Sequence, residues 1–257
     1  MRLRLSGALL LTISCEAQEI RPSDPVTALN KAFSTHQLVL LDDYLHGNVQ
    51  EHRVLLSLIH SRSFSREVSN IVLEGANSLY QRLVDRYVAG ENIPIEQLEA
   101  VWRNGLAIGP VADEPEIELF QAVRTANRTN SSGRTELRIV CGKAAVHWDD
   151  VHTRDDLQRF VPARDRNYIQ IVQEQILAKH QKALLYMGAL HFRRIQGKPS
   201  TIEEALQQTG ATTDVVLPGT TLLAPITMWT GVLFDGAGHG YCRCRALGFK
   251  RYKPSLN

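Results

Sequence analysis

The sequence predicts a single α/β domain, with a mainly parallel sheet that carries helices on both faces. Between residues 22 and 217, short apolar runs of strand length alternate with longer runs in which apolar residues recur at helical spacing. The first strand-like run, residues 38–41, is apolar throughout, as expected of a strand covered on both faces. No internal repeat or linker interrupts this pattern, so we predict one domain over residues 18–221.

The first elements have clear boundaries. Asp24 and Pro25 are residue types preferred at the N-cap and first position of a helix, which predicts a helix over residues 25–34. The continuous apolar run at residues 38–41 predicts the first strand. Apolar residues at core spacing then predict a helix over residues 49–60.

Glycines follow the next two predicted strands. The apolar run 71–73 is followed by Glu74 and Gly75, and the run 137–141 is followed by Gly142. These two runs predict the second and third strands. Between them, apolar periodicity predicts three helices, over residues 78–89, 94–104 and 116–128.

The last elements continue the alternation. Amphipathic spacing predicts a long helix over residues 165–181. The apolar run 183–187, which ends at Gly188, predicts the fourth strand. A short helix over residues 202–208 and a fifth strand over residues 214–217 complete the domain.

The charge distribution argues against nucleic acid as a partner. The 257 residues include 29 Lys and Arg against 27 Asp and Glu, a net charge of +2. The basic excess lies at the two ends of the chain, because residues 18–221 hold 22 basic and 25 acidic side chains. The sequence therefore has no basic stripe of the kind that binds phosphate backbones. An apolar content of 44% also excludes the disordered and low-complexity classes.

The N-terminus has the pattern of a secretory signal peptide. Arg2 and Arg4 precede a short apolar run, and Ala17 supplies a small residue at the predicted cleavage site. The apolar run of about 11 residues is too short to span a bilayer, and no later segment predicts a transmembrane helix. We expect a secreted or periplasmic protein with a signal peptide over residues 1–17, or alternatively a lipoprotein acylated at Cys15. Cleavage would leave three cysteines, which does not predict a disulfide framework.

Polar residues follow three of the predicted strands at the edge where open parallel sheets bind their ligands. Asp42, Asp43 and His46 follow the first strand, Glu74 follows the second, and His191 follows the fourth. We predict that these side chains meet in one crevice. A histidine beside a carboxylate can deprotonate water near neutral pH, which favours general acid–base catalysis. Two histidines and a carboxylate are also a set that can hold a metal ion, and each histidine could instead simply cap its own strand.

Other residues are weaker candidates. Tyr80 and Gln81 begin the helix after Glu74 and are predicted to line the same crevice, where they would bind a ligand or cofactor. Trp102 and Trp148 belong either to the core or to a lid. The sequence has no Gly-x-Ser-x-Gly elbow, phosphate-binding Gly loop or dinucleotide fingerprint, which argues against a standard serine hydrolase, an NTPase and a dehydrogenase. We expect surface positions for the remaining histidines that do not follow a strand: His52, His60, His147, His152 and His180.

Five short segments, in order, resemble bacterial proteins of the erythromycin-esterase and ChaN-like (haem-uptake, Tiki) superfamily. The similarity covers about residues 36–220. The segments are LLDDYLHGNVQEH (40–52), IVLEGANSLYQ (71–81), RYVAG (86–90), VWR (101–103) and LAKHQKALLYMGALH (177–191).

The resemblance implies an α/β fold with a His/Glu/His crevice at the strand ends, and His46, Glu74 and His191 match that set. It implies activation of water against a lactone ester in the esterase branch, haem binding in the ChaN-like branch and metal-dependent peptidase activity in the Tiki branch. Membership does not choose among these activities.

The sequence departs from that family at two positions. Relatives have Gly-Glu shortly before the first histidine, where this chain has Asp43 and Tyr44. Relatives also carry an acidic residue after the glycine that ends the third strand, where this chain has Lys143. A positive charge there would lower the pKa of a neighbouring histidine or pair with Glu74. Lys143 is therefore a further candidate for ligand or cofactor binding.

The composition changes after residue 221. Residues 222–257 are rich in Gly and Arg, and the segment 236–245 matches no element type. Two interpretations are open: translation out of the native reading frame, or a native Gly-rich tail. The first is supported because codons for residues 223–233 can be chosen that encode a family-like segment when the reading frame is shifted. The nucleotide sequence distinguishes them.

These observations lead to three alternative functions. The first is a hydrolase in which His46 or His191 is the general base and Glu74 orients it. The second is a non-catalytic protein that binds haem or a divalent metal through the histidines. The third is an inactive family member, suggested by Tyr44 and Lys143.

Overall fold

A computed structural model describes the chain over most of its central part. The described residues are 23–43, 48–105, 113–129, 136–153, 155–156, 160, 164–188, 191–192 and 200–217, together with the backbone at 232–234 and 240–242. The predicted signal peptide and His46 lie outside the described residues. No described helix is long and apolar enough to cross a membrane.

The described residues form one five-stranded sheet with helices on both faces, as the sequence predicts. All pairings within the sheet are parallel, and the strand order is β3-β2-β4-β1-β5. The strands are β1 (Leu38–Asp42), β2 (Asn70–Asn77), β3 (Arg138–Lys143), β4 (Ala183–Met187) and β5 (Thr213–Val216). The first helices are α1 (Pro25–Thr35), α2 (Val49–His60), α3 (Phe64–Glu67) and α4 (Gln81–Val88). They are followed by α5 (Ile95–Arg103), α6 (Asp113–Arg128), α7 (Arg164–Gln175) and α8 (Thr201–Gln207).

Local sequence explains several helix starts. The Asp24 carboxylate accepts from Thr27 N at the start of α1, and the Asn48 side chain does the same for Gln50 N at the start of α2. Ser200 caps α8 through Glu203 N. These caps satisfy backbone N–H groups that have no partner inside the helix.

Three elements differ from the sequence prediction. The predicted helix 78–89 begins as a 3-10 turn (Ser78–Tyr80), and α3 is not predicted at all. The predicted helix 165–181 ends at Gln175 and continues as a 3-10 turn to Lys179. His180, at φ 54°, then has a left-handed conformation that turns the chain toward β4.

Strand β2 is also longer than predicted. It extends past Leu73 to Asn77, and its register against β3 shifts between these two residues. Leu73 is paired with Cys141, and Asn77 is paired with Lys143. Glu74 therefore lies within an irregular part of the strand, next to the end of β3.

The core has two parts, one on each face of the sheet. On one face, strand residues such as Val39 and Ile71 pack against α1 to α6. On the other face, Leu38, Leu40 and Val72 pack against α7 and α8. Strands β1 to β4 are thus mostly covered on both sides, which explains their apolar centres, whereas the edge strand β5 is half-buried.

Helix α7 approaches β3 at a glycine. A Cβ atom on Gly142 would lie 2.5 Å from Cε2 of Tyr168 and 2.7 Å from the carbonyl oxygen of Leu73. The Tyr168 ring is buried, and its hydroxyl donates to the carbonyl oxygen of Val72 at 3.3 Å. Gly142 is needed here because no larger residue leaves space for the ring.

Strand β3 is one edge of the sheet, and a side chain covers part of it. The Gln81 amide accepts from Cys141 N at 2.7 Å and donates to the carbonyl oxygen of Ile139 at 2.8 Å. These are the hydrogen bonds that a further strand would make. Gln81 therefore satisfies backbone groups at this edge.

Beyond residue 221, where the sequence predicts no regular element, Val232–Phe234 (β6) and Gly240–Cys242 (β7) form an antiparallel pair. The prediction that the segment 236–245 contains no element is wrong at Gly240–Cys242.

Candidate functional site

Three charged side chains are buried where strands β2, β3 and β4 end. Glu74 is 7% exposed, Lys143 is 5% exposed and His191 is 8% exposed. Glu74 and Lys143 belong to β2 and β3, and His191 follows shortly after β4. The carboxyl ends of parallel strands meet at one edge of the sheet, so this cluster lies where such sheets bind ligands.

The imidazole of His191 lies between two carboxylates. Its Nε2 is 3.1 Å from Oε1 of Glu74, and its Nδ1 is 2.7 Å from Oδ1 of Asp165, near the start of α7. Both ring nitrogens must donate, because an ionised carboxylate only accepts. Both nitrogens of the His191 ring therefore carry a proton, and the ring is a positively charged imidazolium.

The two carboxylates differ in how firmly they are held. Oε2 of Glu74 accepts from the backbone N–H of Gly188 at 2.8 Å, and only 9% of its side chain is exposed. The Asp165 side chain is 41% exposed, and its other charged neighbour is Arg164, whose Nε is 3.9 Å from Oδ1. Glu74 is thus the fixed inner partner of His191, and Asp165 is the outer partner next to solvent.

The pKa values follow from this arrangement. Burial alone would lower the pKa of His191, but the hydrogen bonds and charges of Asp165 and Glu74 raise it to about 9. Burial alone would raise the pKa of Glu74, but the hydrogen bond and charge of His191, assisted by Gly188 N–H and Lys143, lower it to about 2. The hydrogen bond to His191 also lowers the pKa of Asp165. At neutral pH the cluster is a carboxylate–imidazolium–carboxylate chain.

Lys143 acts on Glu74. Burial lowers the pKa of Lys143, the Glu74 charge opposes that shift, and the Arg164 charge adds to it. The Lys143 side chain passes close to Gly105, because its Cδ would lie 3.7 Å from a Cβ atom placed on that glycine. Of the two effects predicted for this residue, the structure supports the interaction with Glu74. The pKa of His191 is set by burial and by its two carboxylate neighbours, which raise it.

The structure brings Asp43 to a different polar group. The Asp43 carboxylate accepts a hydrogen bond from the hydroxyl of Tyr186, near the end of β4. Burial, this bond and the charges of Asp43, Glu51 and Glu116 together raise the pKa of Tyr186. Tyr186 is paired with Leu73 in the sheet, so it lies beside the strand that carries Glu74. His46, predicted in the same crevice, lies outside the described residues.

The predicted ligand residues Tyr80 and Gln81 are engaged elsewhere. The Tyr80 hydroxyl accepts from the Asn104 side chain at 2.7 Å. Both functional atoms of the Gln81 amide bond to the backbone of β3 rather than to Glu74 or His191. Gln81 has a structural role at the sheet edge.

Among the weaker candidates, Trp102 is buried in the core and Trp148 is 40% exposed. His60, His147, His152 and His180 are exposed, as predicted. The prediction for His52 is wrong. It is 9% exposed, and its Nε2 lies 3.0 Å from Oε2 of Glu118, so it joins α2 to α6.

Sequence reasoning missed Asp165. It did so because Asp165 lies near the start of a helix and not at the end of a strand. An available signal was its position near the start of an amphipathic helix whose C-terminal end leads into β4, which precedes His191.

The cluster does not resemble a metal centre or a thiol site within the described residues. No group of three His, Cys, Asp or Glu side chains there has the geometry to hold a metal ion. Both nitrogens of His191 face carboxylates, so neither presents a lone pair to iron in this conformation. The described free cysteine, Cys141, is fully buried, and burial raises its pKa well above the usual thiol value.

No protein-family model matches the chain, and no curated protein is similar to it in sequence. Solved structures do resemble it. One, described as bacterial protein toxins, has a TM-score of 0.51 and 16% identity over 76% of this chain and 37% of the other. RRSP, a MARTX toxin effector domain from Vibrio vulnificus, has a TM-score of 0.50 and 18% identity over 76% of this chain and 36% of the other.

A third structure is the C-terminal region of Pasteurella multocida toxin, described as having a thiol-protease-like catalytic triad. Its TM-score is 0.50 and its identity 14%, over 76% of this chain and 25% of that one. The likeness is one of fold. The chain matches well under half the length of each of these three proteins.

These neighbours correct the family assignment made from short motifs. They are bacterial toxin and effector proteins, not erythromycin esterases, ChaN-like proteins or Tiki proteins. The assignment to that superfamily is therefore wrong. The motifs on which it was based mark strand ends and helix starts, which different families with this sheet can share.

Proposed function

We propose that Glu74, His191 and Asp165 form the active site of a hydrolase in which His191 donates a proton to the leaving group of a carboxylic ester. The observation that supports this most is the imidazolium held between a fixed, buried carboxylate and a more exposed one. This arrangement is a proton donor with one replaceable partner.

The replaceable partner is Asp165. A substrate oxygen that displaces its carboxylate from Nδ1 takes the position of the hydrogen-bond acceptor. Glu74 keeps its bond to Nε2 and so fixes the ring and its tautomer. Loss of the Asp165 contact also lowers the pKa of His191, which makes the imidazolium a stronger acid when substrate is bound.

The proton balance of the reaction is simple. Water adds to the ester carbonyl, the bond to the alkoxide breaks, and the alkoxide takes the proton from Nδ1. A proton released by the attacking water restores the imidazolium. Glu74 stays ionised throughout, because its pKa is far below neutral.

The geometry favours this role over that of a general base. A base needs an unprotonated nitrogen at working pH, and the pKa of His191 is about 9. The proposal thus keeps Glu74 and His191 from the predicted set, but with the opposite direction of proton transfer.

The toxin neighbours are compatible with an enzyme. The Pasteurella multocida toxin is described as having a catalytic triad, and its fold resembles this one. The thiol chemistry in that description has no counterpart among the described side chains, because Cys141 is buried.

We also propose that the protein is exported, because Arg2 and Arg4 precede a short apolar run and Ala17 is a small residue at the predicted cleavage site. Mass spectrometry of the protein recovered from the periplasm or medium should show a chain that begins at Gln18. A protein that stays in the cytoplasm and starts at Met1 would contradict export.

The test of the hydrolase compares two esters of one acyl group. Ethyl esters release ethoxide, which needs a proton, whereas p-nitrophenyl esters release a stable anion. His191→Asn should lower kcat/KM for the ethyl ester by roughly 100- to 10,000-fold, and for the p-nitrophenyl ester by less than about tenfold.

His180→Asn is the matched control. The His180 side chain is exposed, and its backbone has the left-handed conformation that asparagine readily adopts. This variant should therefore hydrolyse both esters at the rates of the original protein. Failure of the unmodified protein to hydrolyse either ester would refute the proposal. Equal losses on both esters would also refute it.

A further inference from the structure

Two positively charged side chains beside the cluster carry hydrogen-bond donors that lack an acceptor among the described residues. Lys143, at the end of β3, is 5% exposed, and it interacts with Glu74 and Glu116 through charge alone, without a hydrogen bond. The Nε atom of Arg164, the first residue of α7, is buried and has no hydrogen-bond partner in the described part of the chain. Buried donors without acceptors are costly, so these two side chains favour the binding of an acceptor from a ligand.

Both side chains lie at the same end of β3. The ring of Tyr168 lies against Gly142, which directly precedes Lys143. Arg164 comes one helical turn before Tyr168, so it lies on nearly the same face of α7, about 6 Å nearer the start of the helix. Because α7 leads into β4, which is parallel to β3, the helix begins at the edge of the sheet where β3 ends. The charges of Arg164 and Lys143 are close enough there to repel each other.

This pair of cations adjoins the proposed proton donor. Nε of Arg164 is 3.9 Å from Oδ1 of Asp165, and the same oxygen is 2.7 Å from Nδ1 of His191. The charge of Lys143 acts on Glu74, which is the partner of Nε2. A ligand held by Lys143 and Arg164 therefore lies beside Asp165, the carboxylate that a substrate displaces in the proposed reaction.

The carboxylates of the cluster do not supply the missing acceptors. Both oxygens of Glu74 are engaged, one by His191 and the other by the backbone N–H of Gly188. Asp165 is too far from Nε of Arg164 for a hydrogen bond. The N–H groups in the first turn of α7 add partial positive charge at the same place. A negatively charged oxygen of a ligand is the acceptor that these donors favour.

The surrounding acids limit the charge of that ligand. Glu74 and Glu116 act on Lys143, and Asp165 lies next to Arg164. These acids repel a phosphate dianion more strongly than a carboxylate, which carries a single charge. A planar carboxylate also matches the guanidinium group of Arg164, with which it can form paired hydrogen bonds. The pair therefore favours a carboxylate.

We propose that Lys143 and Arg164 bind a carboxylate group of the substrate, next to the ester bond to which His191 donates its proton. The assignment to an ester substrate rests on the proposed hydrolase, whereas the binding of a carboxylate does not. The site predicts half-esters of short dicarboxylic acids, such as monoethyl succinate, as better substrates than the corresponding diesters.

The binding test uses succinamate, which has one carboxylate and an amide in place of the ester, with ligand-observed NMR as the readout. The original protein should bind succinamate at least about tenfold more tightly than succinamide, which has no charge. Arg164→Gln should weaken succinamate binding by roughly 10- to 100-fold, because a charge-assisted hydrogen bond is lost. Arg166→Gln is the matched control. It makes the same change at an exposed position two residues further along α7, so it should bind succinamate like the original protein.

The second cation is tested in the same way. Lys143→Met keeps the length of the buried side chain without its charge and should weaken succinamate binding by at least about tenfold. Lys179→Met is its control, because Lys179 is exposed in the 3-10 turn after α7. Three results would overturn the proposal: equal affinities for succinamate and succinamide, equal weakening in Arg164→Gln and Arg166→Gln, or tighter binding of inorganic phosphate than of succinamate.

The activity test compares monoethyl succinate with diethyl succinate. The original protein should have the higher kcat/KM for the half-ester, and Arg164→Gln should reduce this preference by at least about tenfold, whereas Arg166→Gln keeps it. If neither ester is hydrolysed but succinamate binding is lost in Arg164→Gln and kept in Arg166→Gln, the hydrolase proposal fails and the carboxylate site stands. If both esters are hydrolysed and Arg164→Gln has the same preference as the original protein, the carboxylate site fails and the hydrolase stands.

Discussion

His191 has two partners of the same chemical type but with different surroundings. Glu74 is held by a backbone N–H and is nearly inaccessible, whereas Asp165 is partly exposed. The inner contact sets the orientation of the ring, and the outer contact is the one that a ligand can replace. The effect of a mutation on His191 therefore depends on which of the two carboxylates is removed.

Removal of the outer carboxylate leads to a prediction for the pKa of His191. In Asp165→Asn the pKa should fall from about 9 toward the ordinary histidine value, because one charged acceptor is lost and burial continues to disfavour the imidazolium. An NMR titration of the imidazole resonances measures it. Asp149→Asn, at an exposed acid in a separate 3-10 turn, should leave the titration unchanged. An unchanged pKa of His191 in Asp165→Asn would show that the contact between His191 and Asp165 does not affect this pKa in solution.

Part of the site could be predicted from sequence. Glu74 and His191 were identifiable because each lies near the end of an apolar strand, and parallel strands end at a common edge. The strand-end rule does not identify Asp165 or Tyr186. Asp165 reaches the site from a helix, and Tyr186 lies in a strand where its ring could have faced either side. The protonation of His191 depends on distances of about 3 Å that spacing along the chain does not contain.

The edge strand β3 shows how one side chain can replace a missing neighbour. Gln81→Met keeps the length of the side chain but removes the amide that bonds to Cys141 N and the Ile139 carbonyl. We expect the free energy of unfolding to fall by about 1–2 kcal/mol. Urea unfolding measures the change. Arg82→Met, at the exposed neighbouring position, should have little effect, and equal losses in both variants would argue against the role of Gln81.

The contact between α7 and β3 gives a second prediction for an element. Gly142→Ala places a Cβ against the Tyr168 ring and the Leu73 carbonyl, so we expect a loss of about 1–3 kcal/mol in the free energy of unfolding. Gly75→Ala is the matched control in the neighbouring strand, where the nearest atom is 3.6 Å away. It should change stability by less than about 0.5 kcal/mol. Similar losses in the two variants would mean that the close approach at Gly142 is not tight.

The sequence predicted the strands better than the helix ends. Apolar runs identify strands that are buried, as β1 to β4 largely are, and all five strands lie at or next to their expected positions. The extension of β2 to Asn77 was not predictable, because it depends on Asn77 bonding to the carbonyl oxygens of Asn104 and Val146. Periodicity also does not reveal that α7 ends at Gln175 or that the following 3-10 turn ends at a left-handed His180.

For the whole molecule, the cluster predicts how stability depends on pH. The pKa of Glu74 is lowered on folding, so its contribution is present above about pH 4.5 and is lost as the pH falls through about 2. The pKa of His191 is raised, so its contribution is present below about pH 6.5 and is lost as the pH rises through about 9. Both shifts describe the same contact and are not added. The loss on the alkaline side is up to about 3 kcal/mol.

Urea unfolding at pH 6 and pH 9 tests this prediction. The original protein should be less stable at pH 9, and His191→Asn should show much less of this decline. A parallel decline in both proteins would assign it to other groups.

The family assignment failed for a reason that also concerns the whole molecule. Short motifs report where strands end and helices begin, and several families share this sheet. The signal peptide, the limits of the domain and the reading frame of residues 222–257 remain predictions.

The order of the strands has a consequence for synthesis of the chain. In the sheet β1 lies between β4 and β5, and Leu38 is paired with Ala183 and Thr213. A nascent polypeptide thus carries an apolar, unpaired strand until residues far downstream have left the ribosome. Nearly the whole domain must be translated before β1 has a neighbouring strand, so folding is governed by contacts between distant parts of the chain. A ribosome that stalls before residue 183 releases a product in which Leu38–Asp42 has neither of these partners and is open to aggregation.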